Sequence, residues 1–456
     1  MSSLGSDLRL AWQLTRGSDR REWWRITLTA TGAALATGFA LAAGVLASLR
    51  GDSFRVSLAE GLLDEPGTRS GVILALLLLL VPVLGFLGQC ARIGAVHRDR
   101  RLAGLRLAGA SPWQVRRIAA LETGLACLLG SAVATVFSVL TLLRLWERPT
   151  PLTWAVMALV AVWVPVLGSA AGALALRRVV ASPLGWVRRA GARPGRNAGL
   201  LFLVGLLLTA GLALLAATSL SGPRSRPAGW QTPLTVFAAL LAVGAGAVWL
   251  AGATSRITGR VLAGRARSAA TLIAAERLRD DPWAAARTHA AVLLVTVVGS
   301  GFMGIRHVFL DVLRSDKHLA EDTSYYTTGL DLTAAAIAVG LAIALSGLAV
   351  GTAESLATRR RGLAAQTAAG VPRTLLGRAL LLETALPLAP AMLLAGIGGA
   401  VIGFGYAALS DDGGGMPTPW AVLLVPVLVY AACLLAAATA LPLLRRSVHP
   451  TELRYA

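Results

Sequence analysis

Apolar residues in this chain come in blocks of about twenty, separated by short, polar, arginine-rich segments. A helix of twenty residues rises about 30 Å, the thickness of a bilayer's hydrocarbon core. Backbone groups find no water to bond in that core, so each block is predicted to be a membrane-spanning helix. Ten such spans are predicted. The first five are 26–49, 71–91, 123–143, 152–176 and 198–217. The second five are 233–253, 288–304, 332–351, 384–409 and 420–444. The predicted fold class is an all-α integral membrane protein with about ten transmembrane helices.

Two stretches outside the blocks have a pattern of their own. Leu8–Trp24 and Ser268–Arg287 mix Leu or Ile with Arg, and each has Trp near its end (Trp23 and Trp24; Trp283). Both read as amphipathic helices lying along the inner membrane surface, or as helical extensions of the span that follows. The longest segments expected outside, roughly 50–70 and 305–331, are too short to fold around a core. The first has room for a short helix around Phe54–Leu63, and Tyr325 and Tyr326 suit the membrane interface.

Composition sharpens the class. Only 14% of residues are charged, against about a quarter in soluble domains. The net charge is +20, and Lys317 is the one lysine among 43 basic residues. Such basicity could point to nucleic acid, but most of the arginines sit in alternate short loops, as the positive-inside rule requires of cytoplasmic segments. That distribution places both termini in the cytoplasm and predicts no nucleic-acid partner. The bias toward Arg, Ala and Gly points to a bacterial chain, and so to a bacterial plasma membrane. Some two dozen polar or amphipathic residues precede the first full-length span, unlike a cleavable signal peptide. Cys90, Cys127 and Cys433 fall in or beside apolar blocks without metal or disulfide spacing, and read as small packing residues.

The chain repeats itself. Arg100–Thr123 and Arg361–Thr384 align without a gap at an offset of 261. Arg100/Arg361, Leu102/Leu363, Ala103/Ala364, Ala108/Ala369, Gly109/Gly370, Arg117/Arg378, Leu121/Leu382, Glu122/Glu383 and Thr123/Thr384 are identical. Each copy falls between a span running inward and a span running outward. Two four-span units follow from this, 1–177 and 268–456 with their preceding amphipathic helices, and 178–267 is a central two-span insertion. Corresponding spans are an even number apart, so the units run parallel and are predicted to be related by a pseudo-two-fold axis along the membrane normal.

Each copy also has a local logic. Gly109 and Gly370 suit the left-handed residue that closes a helix. Ser111 is then an N-cap, with Pro112 at the first helical position. Pro372 lies one position earlier in the alignment and marks the turn without fixing the same cap. The predicted result is a helical elbow in duplicate, which reads as a dock for a two-fold symmetric partner, or as a basic elbow that serves topology alone.

These residues resemble the FtsX-like permeases of ABC transporters, which include MacB-type and BceB-type proteins. The family's basic run, turn, short helix and span-opening glutamate appear as Leu107-Ala108-Gly109-Ala110-Ser111 with Glu122, and more loosely as Ala369-Gly370-Val371-Pro372 with Glu383. Ten spans with an inserted central pair look like the BceB arrangement, but the large outer domain of that family has no counterpart. The resemblance implies that Arg100, Arg101, Leu105, Gly109, Ser111, Pro112, Val115 and Glu122 couple the chain to an ATPase. It implies the same for Arg361, Gly370, Pro372, Leu375 and Glu383.

The energy source is expected to lie elsewhere. A Walker P-loop needs a lysine after its Gly-rich loop, and Lys317 stands in Ser-Asp-Lys-His. The predicted span interiors contain no Asp, Glu, Lys or Arg, the groups that ion-coupled carriers keep at mid-membrane. His97, His289, His307, His318 and His449 are scattered, with His289 expected at a membrane surface, and no catalytic or metal-binding constellation emerges. Asp411-Asp412 beside Gly413–Gly415 reads as a turn, and Gly244–Gly246 and Gly396–Gly399 as close helix packing. The expected protein is a non-enzymatic permease surrounded by membrane lipids. It would be driven by two copies of a cytoplasmic ABC ATPase that hold the Mg-ATP, and would export or extract an amphiphilic substrate such as a peptide antibiotic or lipid. The alternative is an ATPase-linked signalling protein that controls a kinase or a hydrolase.

Overall fold

A computed structural model of the chain describes residues 20–49, 63, 66–90, 104, 107–145, 149–175, 231–315, 322–410 and 420–447. Among them are twelve helices and no strand. In chain order these are α1 (Arg20–Ser48), α2 (Pro66–Cys90), α3 (Pro112–Leu145), α4 (Pro151–Ala175), α5 (Gln231–Arg265) and α6 (Ala269–Asp280). They continue with α7 (Pro282–Ser315), α8 (Thr323–Thr358), α9 (Arg360–Ala368), α10 (Arg373–Ser410), α11 (Trp420–Ala438) and α12 (Leu441–Ser447). Nine of the described helices are long and apolar enough to cross a membrane. The protein is an all-α, multi-pass integral membrane protein. The predicted span 198–217, the stretch 8–19 and the suggested helix at 54–62 lie outside the described residues.

The chain divides into two compact units, residues 1–56 with 75–195, and 57–74 with 196–456. In the first, α1, α3 and α4 pack against one another. Little hydrophobic drive operates between helices in lipid, so close approach of backbones and hydrogen bonds between helices must hold them. Gly130 of α3 lies directly on the carbonyl of Ala30 in α1, where a Cβ would collide with backbone. Leu41, Leu142 and Met157 form a buried cluster. The Ser48 and Thr153 hydroxyls hydrogen-bond at 2.8 Å, and Ser131 donates to the Ala161 carbonyl at 3.1 Å. Gly168 rests on the sulfur of Cys127, a packing role for that thiol. All three cysteines are buried and free.

The second unit is built around α7, which packs on α5, α10, α8 and α11. Its core includes Ala247, Val292, Leu293, Leu348, Leu388 and Val429. The predicted glycine contacts are present: Gly244 meets Leu294, Gly396 meets Pro426, and Gly399 meets the Val297 carbonyl. His289, expected at a membrane surface, is buried within this unit at 3% exposure. Ser268–Arg287 contains a separate helix rather than a continuous extension of α7. Ser268 caps α6 by accepting from the Thr271 N–H, and the chain breaks at Asp281 before α7 begins. The buried face of α6 (Ala270, Ala274, Ala275, Leu278) is narrow and small, which lets it lie close to α5 and α10.

Most helices outrun the apolar blocks that announce them. The segment 305–331, read as a loop, is helical over 305–315 and 323–331. Arg314 pairs with Asp311 one turn earlier at 3.1 Å, a local contact that supports the helix in this polar stretch, and Arg306 of α7 reaches across to Asp331 of α8 at 3.1 Å. Tyr326 lies tilted against Phe309 and edge-to-face with Tyr325 there.

Candidate functional site

The two elbows are the places where sequence pattern and geometry converge. In the first, a helical turn closes with the Ala108 N–H donating to the Gly104 carbonyl at 2.9 Å. Gly109 follows at φ +96, a conformation that a Cβ makes costly. The Gln114 N–H then donates to Ser111 Oγ at 3.2 Å, and the Ser111 N–H donates to Gln114 Oε1 at 2.8 Å. This reciprocal pair is a capping box, which satisfies two otherwise orphaned backbone donors and starts α3 at Pro112. Val115 and Ile118 turn inward and are buried, while Leu107 and Trp113 are exposed.

At the base of this elbow, the Arg25 guanidinium of α1 donates to the Glu122 carboxylate of α3. Both side chains are almost fully buried, at 6% and 3% exposure. A charge so enclosed is tolerable only with a partner, so the pair fixes the root of α3 to the root of α1.

In the second elbow, α9 ends in a Schellman motif. Val371 N–H donates to the Gln366 carbonyl at 3.0 Å and Gly370 N–H to the Thr367 carbonyl at 2.9 Å, with Gly370 at φ +90. The Pro372 carbonyl accepts from the N–H groups of Leu375 and Leu376 at 3.0 and 3.3 Å, opening α10. A proline cannot supply a side-chain cap, so this helix starts without the box of the first elbow. Leu363, Leu376 and Leu380 are buried with Leu356, Ala440 and Leu444, and Val371 packs against them.

Glu383 takes two guanidinium groups. Arg277 of α6 donates at 3.1 Å, and Arg359, at the junction of α8 and α9, donates at 2.9 and 3.2 Å. One carboxylate therefore ties α6, the α8–α9 junction and α10 together. Of the residues singled out from sequence, Gly109, Ser111, Pro112, Val115 and Glu122 lie in the first elbow, and Gly370, Pro372, Leu375 and Glu383 in the second. Arg361 belongs to α9. Arg100, Arg101 and Leu105 lie outside the described residues.

Sequence reading missed Gln114, Arg25, Arg277 and Arg359. Gln114 was visible, since Ser followed three residues later by Gln is a capping-box signature. The arginines stand 97, 106 and 24 residues from the glutamates they meet. What could have pointed to them is the glutamate itself, since a carboxylate opening a span calls for a cation. Among the described residues, no group of three His, Cys, Asp or Glu is placed to hold a metal.

Residues 72–184 match the family model for the FtsX-like permease C-terminal domain. The chain carries an FtsX-like permease domain. The match begins within α2 and takes in the first elbow, α3 and α4. No curated protein and no solved structure matches the chain. Permeases of this family are membrane transport subunits without enzymatic activity of their own, and in general they work with ABC ATPases.

Proposed function

We propose that this FtsX-like permease is the membrane subunit of an ABC transporter in a bacterial plasma membrane, with both termini and both elbows in the cytoplasm. Two copies of a P-loop ATPase dock on the two elbows, bind Mg-ATP and hydrolyse it. The observation that carries the reading is the paired elbow: a glycine at positive φ, a helix start, and a glutamate bonded to arginine on other helices, at positions 261 apart. A load applied at either turn passes along a continuous helix, α3 or α10, into the bilayer. The glutamate–arginine pairs hand it to neighbouring helices rather than letting it dissipate in one.

Coupling is assigned to Gly109, Ser111, Pro112, Val115, Glu122, Gly370, Pro372, Leu375 and Glu383, with Arg100, Arg101, Leu105 and Arg361 in the flanking basic runs. The cargo is an amphiphile exported or lifted from the membrane, in keeping with apolar spans whose exposed faces carry residues such as Phe137, Val162 and Leu428. Efflux of a peptide antibiotic, and hence resistance to it, is one form such transport takes.

The test is to isolate the tagged chain from its native host in mild detergent and identify its companions. A P-loop ATPase whose hydrolysis rises on association supports the reading. Absence of any ATPase, even after cross-linking in intact membranes, contradicts it.

A further inference from the structure

The two elbows differ in what they offer a partner. On the first, Leu107 and Trp113 flank the turn and are exposed by 72% and 69%. The corresponding positions of the second, at the same offset of 261, are Ala368 and Thr374. Both are exposed, and neither brings a large apolar surface. Indeed, no large hydrophobic side chain is exposed among the described residues from 359 to 380. The second elbow keeps its leucines for its own core, where Leu363, Leu376 and Leu380 are buried.

The stretch Trp113–Leu145 is long and apolar enough to span, but Trp113 stands well outside its uncharged part. The apolar run of this helix goes from Thr123 to Leu143, bounded by Glu122 and Arg144, and its rise of about 31 Å fills the hydrocarbon core. Trp113 precedes that run by ten residues, or about 15 Å along the axis. The headgroup layer adds only about 5–8 Å on each face. An exposed indole beside an exposed leucine, this far from the uncharged run, is the kind of surface that marks a protein contact. Tryptophan in such a position commonly supplies much of the binding energy. The sequence around it is basic: Arg98, Arg100, Arg101, Arg106, Arg116 and Arg117 against one acidic residue, Asp99.

We infer that Leu107 and Trp113 are the anchor of the ATPase interface, filling an apolar cleft rimmed by carboxylates on one ATPase subunit, and that the two docking sites are therefore unequal. This rests on the permease reading above. The first elbow grips tightly through buried apolar area, whereas the second makes a shallower contact through a backbone turn and small side chains. The complex consequently loses its second ATPase before its first on dilution.

Wild-type, Trp113→Ala, Trp113→Phe and Thr374→Ala chains, each isolated with the ATPase, test this by the ATPase retained after dilution. Trp113→Ala is expected to bind about thirtyfold more weakly, Trp113→Phe to recover most of the loss, and Thr374→Ala to stay within about twofold of wild type. Equal retention by Trp113→Ala and wild type overturns the inference while leaving the permease reading intact. A wild-type preparation with no ATPase overturns both.

Because Cys90, Cys127 and Cys433 are buried, a Trp113→Cys chain adds a readout that does not depend on the affinity series. In nanodiscs it is expected to react with a membrane-impermeant maleimide when alone and to be protected once ATPase is added. Labelling that ATPase leaves unchanged, or a thiol already protected by lipid in the chain alone, overturns the inference.

Discussion

Replacing Glu122 by Gln removes the carboxylate that the buried Arg25 guanidinium bonds. With both side chains more than nine-tenths buried, the pair falls in the regime where losing one partner costs about 3–5 kcal/mol, because a charge is left enclosed without compensation. For a unit of this size, that corresponds to a melting temperature lower by roughly 6–20 °C. Removing both charges has a different consequence. Arg25→Met with Glu122→Leu deletes the stranded charge along with its partner, and such exchanges are often neutral or even stabilising. The double variant should therefore melt above either single variant. A thiol-reactive fluorogenic dye reads this directly, since Cys90 and Cys127 are buried when folded and exposed on unfolding. The reasoning is refuted if Glu122→Gln melts within a degree or two of wild type. It is refuted equally if the double variant falls as far as the two single losses combined, which would mean the residues act independently.

Further predictions concern other contacts. Glu383→Gln should cost less than Glu122→Gln, about 1–3 kcal/mol, because Arg277 and Arg359 are 15% and 37% exposed and can be hydrated; the same melting assay ranks the two. Gly130→Ala should destabilise by about 1–3 kcal/mol, since a Cβ there collides with the Ala30 carbonyl. Gly38→Ala, with nothing within 4 Å, should be neutral or slightly stabilising. Gly370→Ala should cost about 1–2 kcal/mol through backbone strain alone, because its φ is +90 and no atom obstructs the new methyl. Asn at that position should recover part of the loss.

The spans were legible because the bilayer sets a length that no loop imitates. The run 123–143 locates α3 even though the helix starts eleven residues earlier, at Pro112. That earlier stretch was legible from different signals, Ser111 as a cap and Pro112 as the first helical residue, and it buries only one face: Val115 and Ile118 are buried beside an exposed Trp113. Gly109 and Gly370 were legible as turns because positive φ selects glycine. The partners of Glu122 and Glu383 were not, because helix packing rather than spacing in the chain chooses them. Trp113 sat in plain view within the repeat. Its importance shows only when its exposure is set against its distance from the apolar run.

The central claim is that one chain offers two docking sites to two ATPase subunits. Native mass spectrometry of the gently isolated complex tests it most directly. The account predicts one 47.1 kDa chain with two copies of a P-loop ATPase, together with a one-to-one species that accumulates on dilution. A chain that carries no ATPase, or never more than one copy at any concentration, would contradict it.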